Sequence, residues 1–296
     1  NEKLIKYTLI LAAAISILTT FGILFSILFE AIEFFQLRSF WYFLTGTIWS
    51  PGVANSQFGA LPIFAGTFVI TIIALLVAIP IGLGSAIYMS EYASPKFRDY
   101  LKPILEILAG IPTVVYGFFA AITVAPLVVK VAAFFGLEAT FNSALASGIV
   151  MGIMIIPLIS SLSDDVIRAV PDSQRKAAFA LGMTHGETIK NIVIPSAMPG
   201  IISASLLALS RALGETMIVV MAAGLRPNLS WNPLEDMTTV TVTIVNSLVG
   251  DFEFNSPETL SAFALGLVLF IVTLILNMIS LSLIRKFKEK YKVNTL

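Results

Sequence analysis

The chain has no cysteine, a single histidine and few charges: Asp, Glu, Lys and Arg together make up 12% of its 296 residues. Without cysteine there are no disulfides, thiolate zinc sites, iron–sulfur clusters or cysteine nucleophiles. The histidine, His185, stands alone and gives little ground for a metal or proton role. The scarcity of charge excludes an ordinary globular domain, in which about a quarter of residues are charged. It also excludes a disordered chain, which needs low hydrophobicity and high net charge, whereas this one is 57% apolar with 18 acids against 18 bases. A net charge of zero lacks the basic footprint of a nucleic-acid binder. No GxxxxGK[ST] phosphate loop is present, so any ATP chemistry belongs to another chain.

The sequence does have long uncharged runs, and a membrane crossing takes about 20 mostly apolar residues. The runs Tyr7 to Phe29, Gly59 to Tyr88, Ile107 to Val129, Ala139 to Ser163 and Thr259 to Ile284, with Pro195 to Gly224, which is interrupted only by Arg211 and Glu215, predict an all-α polytopic membrane protein with six transmembrane helices. These helices are expected over about 7–35, 59–90, 104–129, 139–163, 195–224 and 258–285, in a single transmembrane domain covering 1–296. The first run exceeds the roughly 7 to 15 residues of a signal-peptide core and reads as a retained helix.

Positive residues in short loops stay cytoplasmic. Lys3, Lys6, Lys96, Arg98, Lys102, Arg168, Arg175, Lys176, Lys190, Arg285, Lys286, Lys288, Lys290 and Lys292 fall on one side, and only Arg38, Lys130 and Arg226 on the other. Both termini are therefore expected in the cytoplasm. The outer side gathers Glu235, Asp236, Asp251 and Glu253. The featureless net charge is thus a gradient across the membrane. Also on the outer side, the aromatic stretch Ser39 to Phe58 is expected at the interface, where Trp and Tyr rings are favoured.

The cytoplasmic connection Asp164 to Ile194 reads as two short helices on the membrane surface. In the first, Asp172 to Met183, Ala177, Ala178 and Leu181 share one side and Arg175 and Lys176 another; the second runs from Glu187 to Val193, and Pro195 opens the fifth span. Such a segment is either a surface connector or a docking element. In the fourth span, Gly148 and Gly152 form a GxxxG that permits close helix packing.

One charged pair lies inside a span. Arg211 and Glu215 are four residues apart, so on a continuous helix they share a face and can pair. At 1.5 Å per residue, Arg211 sits roughly 24 Å along the helix from Pro195. Gly200, Ala204 and Ala208 lie on the same face. Ionisable residues in a span are costly and face a bundle interior or a water-filled path. The pair is either a packing lock or a guanidinium fork for an oxyanion, with Glu215 balancing the charge of the empty site and Ser210 and Thr216 offering hydroxyls.

Three segments carry a family resemblance. Lys176-Ala-Ala178, Gly182, Ile192 and Ile194-Pro195 have the spacing of the EAA loop of ABC-importer permeases, with Lys176 replacing its glutamate and Ile194 its leucine. Leu108-Ala-Gly-Ile-Pro-Thr-Val-Val-Tyr-Gly-Phe-Phe119 and Arg211-Ala-Leu-Gly-Glu-Thr-Met217 resemble the permeases of the phosphate-specific uptake system, the second closer to the PstC type than to the PstA type.

The resemblance implies a type I importer permease fold in the cytoplasmic (inner) membrane, a transport subunit rather than an enzyme. Ala177, Ala178 and Gly182, flanked by Lys176 and Pro195, would form the element that couples to the ATPase. Arg211, Glu215, Thr216 and Ser210, with Thr113 and Tyr116, would line the substrate path. The implied partners are a second permease of the PstA type, a dimer of cytoplasmic ATP-binding subunits and an extracytoplasmic phosphate-binding protein. ATP and Mg would bind the ATPase, and no cofactor is expected in this chain. Alternatives are a permease for sulfate or molybdate, a proton-coupled secondary transporter using Glu215, and a membrane scaffold in which the pair is only packing.

Overall fold

The computed structural model describes residues 2–52, 55–249, 253 and 255–290, without the side chains of 287–290. Asp251, Lys292 and the side chains of Lys288 and Lys290 lie outside that description. Among the described residues, six helical stretches are long and apolar enough to cross a membrane: Glu2–Leu37, Leu61–Tyr92, Thr113–Phe134, Ala144–Arg168, His185–Leu213 and Pro257–Lys286. The number matches the sequence expectation, and the differences in their limits have local causes.

In chain order the elements are α1 (Glu2–Leu37), α2 (Phe40–Thr45), the two-residue strands β1 (Trp49–Ser50) and β2 (Gln57–Phe58), α3 (Leu61–Ile87), α4 (Pro95–Ala109), α5 (Thr113–Phe119), α6 (Ala125–Phe134) and α7 (Ala144–Arg168). There follow α8 (Asp172–Ala180), α9 (His185–Thr188), α10 (Ile194–Leu213), α11 (Met217–Ala222), α12 (Val240–Val249) and α13 (Pro257–Lys290). π turns at Tyr88–Tyr92, Ala120–Val124 and Ile189–Val193 extend α3, join α5 to α6 and join α9 to α10.

Two of these π turns precede prolines. Pro126 and Pro195 each lack the N–H that an α-helix needs, and a proline ring clashes with the carbonyl four residues back. In both cases that carbonyl belongs to the widened turn. Pro195 therefore sits inside a continuous helix from His185 to Leu213 and does not open a span; the expected separate helix at Glu187 to Val193 is the beginning of that span. The third span starts at Thr113 and not at 104. Pro112 disfavours helical backbone at Ile111, and Gly110 caps α4, which is a separate helix with Ser94 as N-cap, accepting a hydrogen bond from the Phe97 N–H.

The fifth span also ends early, at Leu213 and not at 224. Gly214 caps α10 and the short α11 follows Thr216. The apolar helix α12, too short to cross a membrane, was not expected from the sequence.

By packing, the chain divides into two compact units. The first comprises Asn1–Pro62 and Thr243–Ile271. In its connection after α1, β1 and β2 pair antiparallel, Trp49 opposite Phe58. Phe34, Phe43 and Phe58 are fully buried and meet edge to face at 5.3 to 5.5 Å between ring centres. Trp41 and Tyr42 remain exposed, as an interfacial segment requires.

The second unit comprises Ile63–Val242 and Val272–Leu296. Its apolar core joins Ile70 of α3, Tyr116 and Ala120, Met151, Ile155 and Ile159 of α7, Ala208 of α10, and Ile218 of α11. Glycines set the helix spacing. A Cβ on Gly148 would come within 2.7 Å of Ile73, and one on Gly152 within 2.8 Å of the Ala74 carbonyl, so the GxxxG of α7 seats α3 directly.

Candidate functional site: an unpaired arginine at a broken span

Arg211 lies in the last turn of α10, where the partial negative charge of the helix C-terminus favours a cation. Its side chain is exposed on the surface of the second unit. Among the described residues no carboxylate lies within ion-pair distance of it. The expected Arg211–Glu215 pair is therefore not formed in this structure. The i,i+4 argument required a continuous helix, and the helix stops between the two residues.

Glu215 is turned inward instead, 8% exposed. Its Oε1 accepts a hydrogen bond from the Ile218 N–H at 3.3 Å, serving one of the free donors at the start of α11. The backbone carbonyl of Glu215 accepts from the Thr241 hydroxyl at 2.8 Å, which fixes the break between α10 and α11.

Of the other expected path residues, Ser210 lies one position before Arg211 and its hydroxyl reaches the Asn277 Oδ1 of α13 at 3.5 Å. Thr216 is the N-cap residue of α11, half-buried, with no side-chain capping bond. Tyr116 is buried in α5 within electrostatic reach of Arg211 and donates its hydroxyl hydrogen bond to the Leu108 carbonyl at 3.0 Å. A Cβ on Gly117 would stand 2.6 Å from the Met221 sulfur, so α5 and α11 are in direct contact. Thr113 is half-buried at the start of α5. Ala204 and Ala208 are buried, and Gly200 packs on Val166 of α7, so the small residues of α10 serve helix packing.

Asn277 was not singled out from the sequence. It is the one carboxamide in the uncharged run Thr259 to Ile284, which was a usable signal.

The second candidate segment is held by a cluster of charges. In α8, Lys176 and Ala177 are exposed and Ala178 is buried; beyond it Leu181 is 81% exposed and Gly182 adopts φ +81° to turn the chain. Ala177 and Leu181 thus lie on the open side with Lys176, against the expected division of the faces. Arg175, expected on the polar side, reaches inward. Its Nη2 meets the Glu91 Oε1 at 2.9 Å and donates to the Ile167 carbonyl at 3.0 Å, while Nη1 bonds the Val170 carbonyl. Glu91 belongs to the π turn at the end of the second span and is 7% exposed, so this pair ties α8 to that span. His185 completes the cluster: its ring stacks on Phe179, meets Tyr92 edge-on at 5.1 Å, and its Nε2 stands 3.9 Å from Glu91 Oε2.

The neighbouring end of α7 is anchored likewise. Arg98 of α4 bonds Asp164 at 2.7 Å, with the carboxylate only 1% exposed, and Lys102 meets Asp165 at 2.9 Å. No group of His, Asp and Glu able to hold a metal occurs among the described residues.

In the connection after α11, Asn228 and Asn232 donate to the Glu235 carboxylate and hold its pKa below the usual glutamate range.

Comparison with known proteins fits this geometry. The chain is 35% identical over 251 residues, 85% of its own length and 78% of the other, to a probable ABC transporter permease protein, YqgH, of Bacillus subtilis. It is 34% identical over 287 residues, covering 90% of this chain and 84% of the relative, to the phosphate transport system permease protein PstC of Mesorhizobium japonicum. Among solved structures, a chain of the bacterial alginate ABC transporter, determined in complex with an alginate-bound periplasmic protein, superposes with a TM-score of 0.62 over 91% of this chain and 92% of that one at 15% identity, a likeness of fold. The family described as the binding-protein-dependent transport system inner membrane component matches residues 78–292, a stretch that contains both the Arg211 site and the α8 segment, and the chain belongs to that family.

Proposed function

We propose that this chain is the permease subunit of an ATP-driven importer that moves inorganic phosphate across the cytoplasmic membrane, with Arg211 as the guanidinium met by the passing anion. The observation that carries the reading is an arginine at the end of a membrane-crossing helix with no carboxylate partner among the described residues. Such a cation is costly in hydrocarbon and is relieved by a partner that comes and goes, and a guanidinium fork suits the oxygens of phosphate. The PstC relative supplies the substrate. Ser210, next to Arg211 in the chain, and Asn277, which its hydroxyl reaches, provide neutral hydrogen-bonding groups, and Thr216, Tyr116 and Thr113 lie on the elements that follow or flank the break.

In this reading the chain pairs with a second permease of the PstA type, receives phosphate from an extracytoplasmic binding protein, and is driven by a dimer of cytoplasmic subunits that bind ATP and Mg. The exposed Lys176, Ala177, Phe179 and Leu181 meet the ATPase, the buried Ala178 seats α8, and Gly182 turns the chain back toward the helix that contains Pro195. Displacement of α8 passes through Arg175 and Glu91 to the second span. Both termini then lie in the cytoplasm.

The test is phosphate uptake by membrane vesicles carrying the whole transporter. Arg211→Ala is expected to abolish uptake while the complex still assembles and hydrolyses ATP. Uptake at the wild-type rate in that variant refutes the role of Arg211. Uptake that survives ATP depletion but collapses with an uncoupler points to proton coupling instead.

A further inference from the structure

The first unit holds a second feature suited to an anion, independent of the transport reading. Just beyond α1 a cavity of about 230 Å³ is lined by Leu37, Arg38, Ser39, Tyr42, Phe43, Ser56 and Phe58. The lining contains one cation, three hydroxyls and no acid. Arg38 is prepared for a ligand: its guanidinium carbon lies 5.5 Å from the centre of the Phe58 ring, and its Nη2 donates to Ser56 Oγ at 3.0 Å.

Phe58 is itself 1% exposed and locked between Phe34 and Trp49, so the surface beneath the guanidinium is rigid. The Tyr42 hydroxyl is fixed at the rim by Gln57 at 3.1 Å. Among the described residues nothing else accepts from the Arg38 fork and no carboxylate pairs with it, so most of its donors are free.

We propose that this cavity binds a phosphate group through Arg38, the hydroxyl of Ser39 completing the contact. The chemistry is shared by a phospholipid headgroup and by free inorganic phosphate. The surroundings favour the lipid. Arg38 ends a helix whose apolar side chains, including Phe29 and Ile32, are exposed along its length, and Phe40 and Trp41 beside it are exposed aromatics of the kind found at headgroup level. A headgroup in the cavity would have its acyl chains along α1.

The experiment compares the full-length chain with Arg38→Gln, both carrying Arg211→Gln so that the two arginines are read separately. Native mass spectrometry after extraction from phosphatidylglycerol and phosphatidylethanolamine membranes counts retained phospholipid, and equilibrium dialysis of the delipidated chain measures binding of radiolabelled inorganic phosphate. Loss of one charge-assisted fork is worth about a tenfold drop in affinity.

One retained lipid lost in Arg38→Gln supports the headgroup. Inorganic phosphate binding lost with lipid unchanged supports the same site with the free anion as ligand. Neither quantity changing overturns the proposal. Ser56→Ala and Arg38→Lys, which keep the charge and loosen or remove the fork, should give intermediate losses and keep the test decisive if Arg38→Gln folds poorly.

Discussion

Arg211 and Glu215 illustrate how one residue can be read correctly from sequence and its neighbour misread. Arg211 is legible because it is the only cation in a long apolar run, and ionisable residues there have few uses. The pair was not legible, because the spacing argument assumed helix from 195 to 224 and the only break signal between the two residues is a single glycine, Gly214. Glu215 instead caps α11 through the Ile218 N–H. Loss of such a cap costs about 0.5–2 kcal/mol, so Glu215→Ala should lower the unfolding free energy of the purified protein by that amount, read as a fall in its melting temperature. Glu215→Gln, whose amide oxygen still accepts the bond, should cost clearly less. Were the carboxylate's charge the stabilising feature through Arg211, both substitutions would cost the same, and this comparison of melting curves separates the two accounts.

Among the elements, the spans were legible from length and hydropathy, but the joints were not. Charges and Pro195 marked the expected span limits, whereas a π turn carries the helix past Pro195 and another lies before Pro126, beyond which the third span runs to Phe134. A proline is visible in the sequence but does not say whether the helix breaks, widens or continues: Pro80 and Pro157 sit inside α-helices with no widened turn before them. The tie between α8 and the second span was equally hidden, because Glu91 and Arg175 are far apart in the chain and meet only after folding.

That tie yields a prediction about coupling. Removing one member of a nearly buried ion pair leaves an uncompensated charge, at about 3–5 kcal/mol, so Glu91→Arg and Arg175→Glu should each stop phosphate uptake. The double swap restores the pair but not the bonds from Arg175 to the Ile167 and Val170 carbonyls. It should therefore recover part of the uptake and lower the ATP hydrolysed per phosphate relative to either single variant. A double variant as inactive as the singles means that α8 acts on the spans by another route.

For the molecule as a whole, the charge gradient read from the sequence predicts an orientation that can be measured, and the lack of cysteine provides the means. Because the native chain has no thiol, a single introduced cysteine is the only target for a membrane-impermeant maleimide. Glu235 lies in the connection between α11 and α12 and is accessible to solvent, while Lys176 and Lys96 lie exposed on α8 and α4 at the opposite ends of the spans. By the positive-inside rule, Glu235→Cys should react in intact cells, and Lys176→Cys and Lys96→Cys only after the membrane is permeabilised. The reverse pattern would turn the chain over, put α8 outside the reach of a cytoplasmic ATPase, and remove the basis for coupling through Arg175 and Glu91. The experiment thus bears on the importer reading through geometry alone, without any measurement of transport.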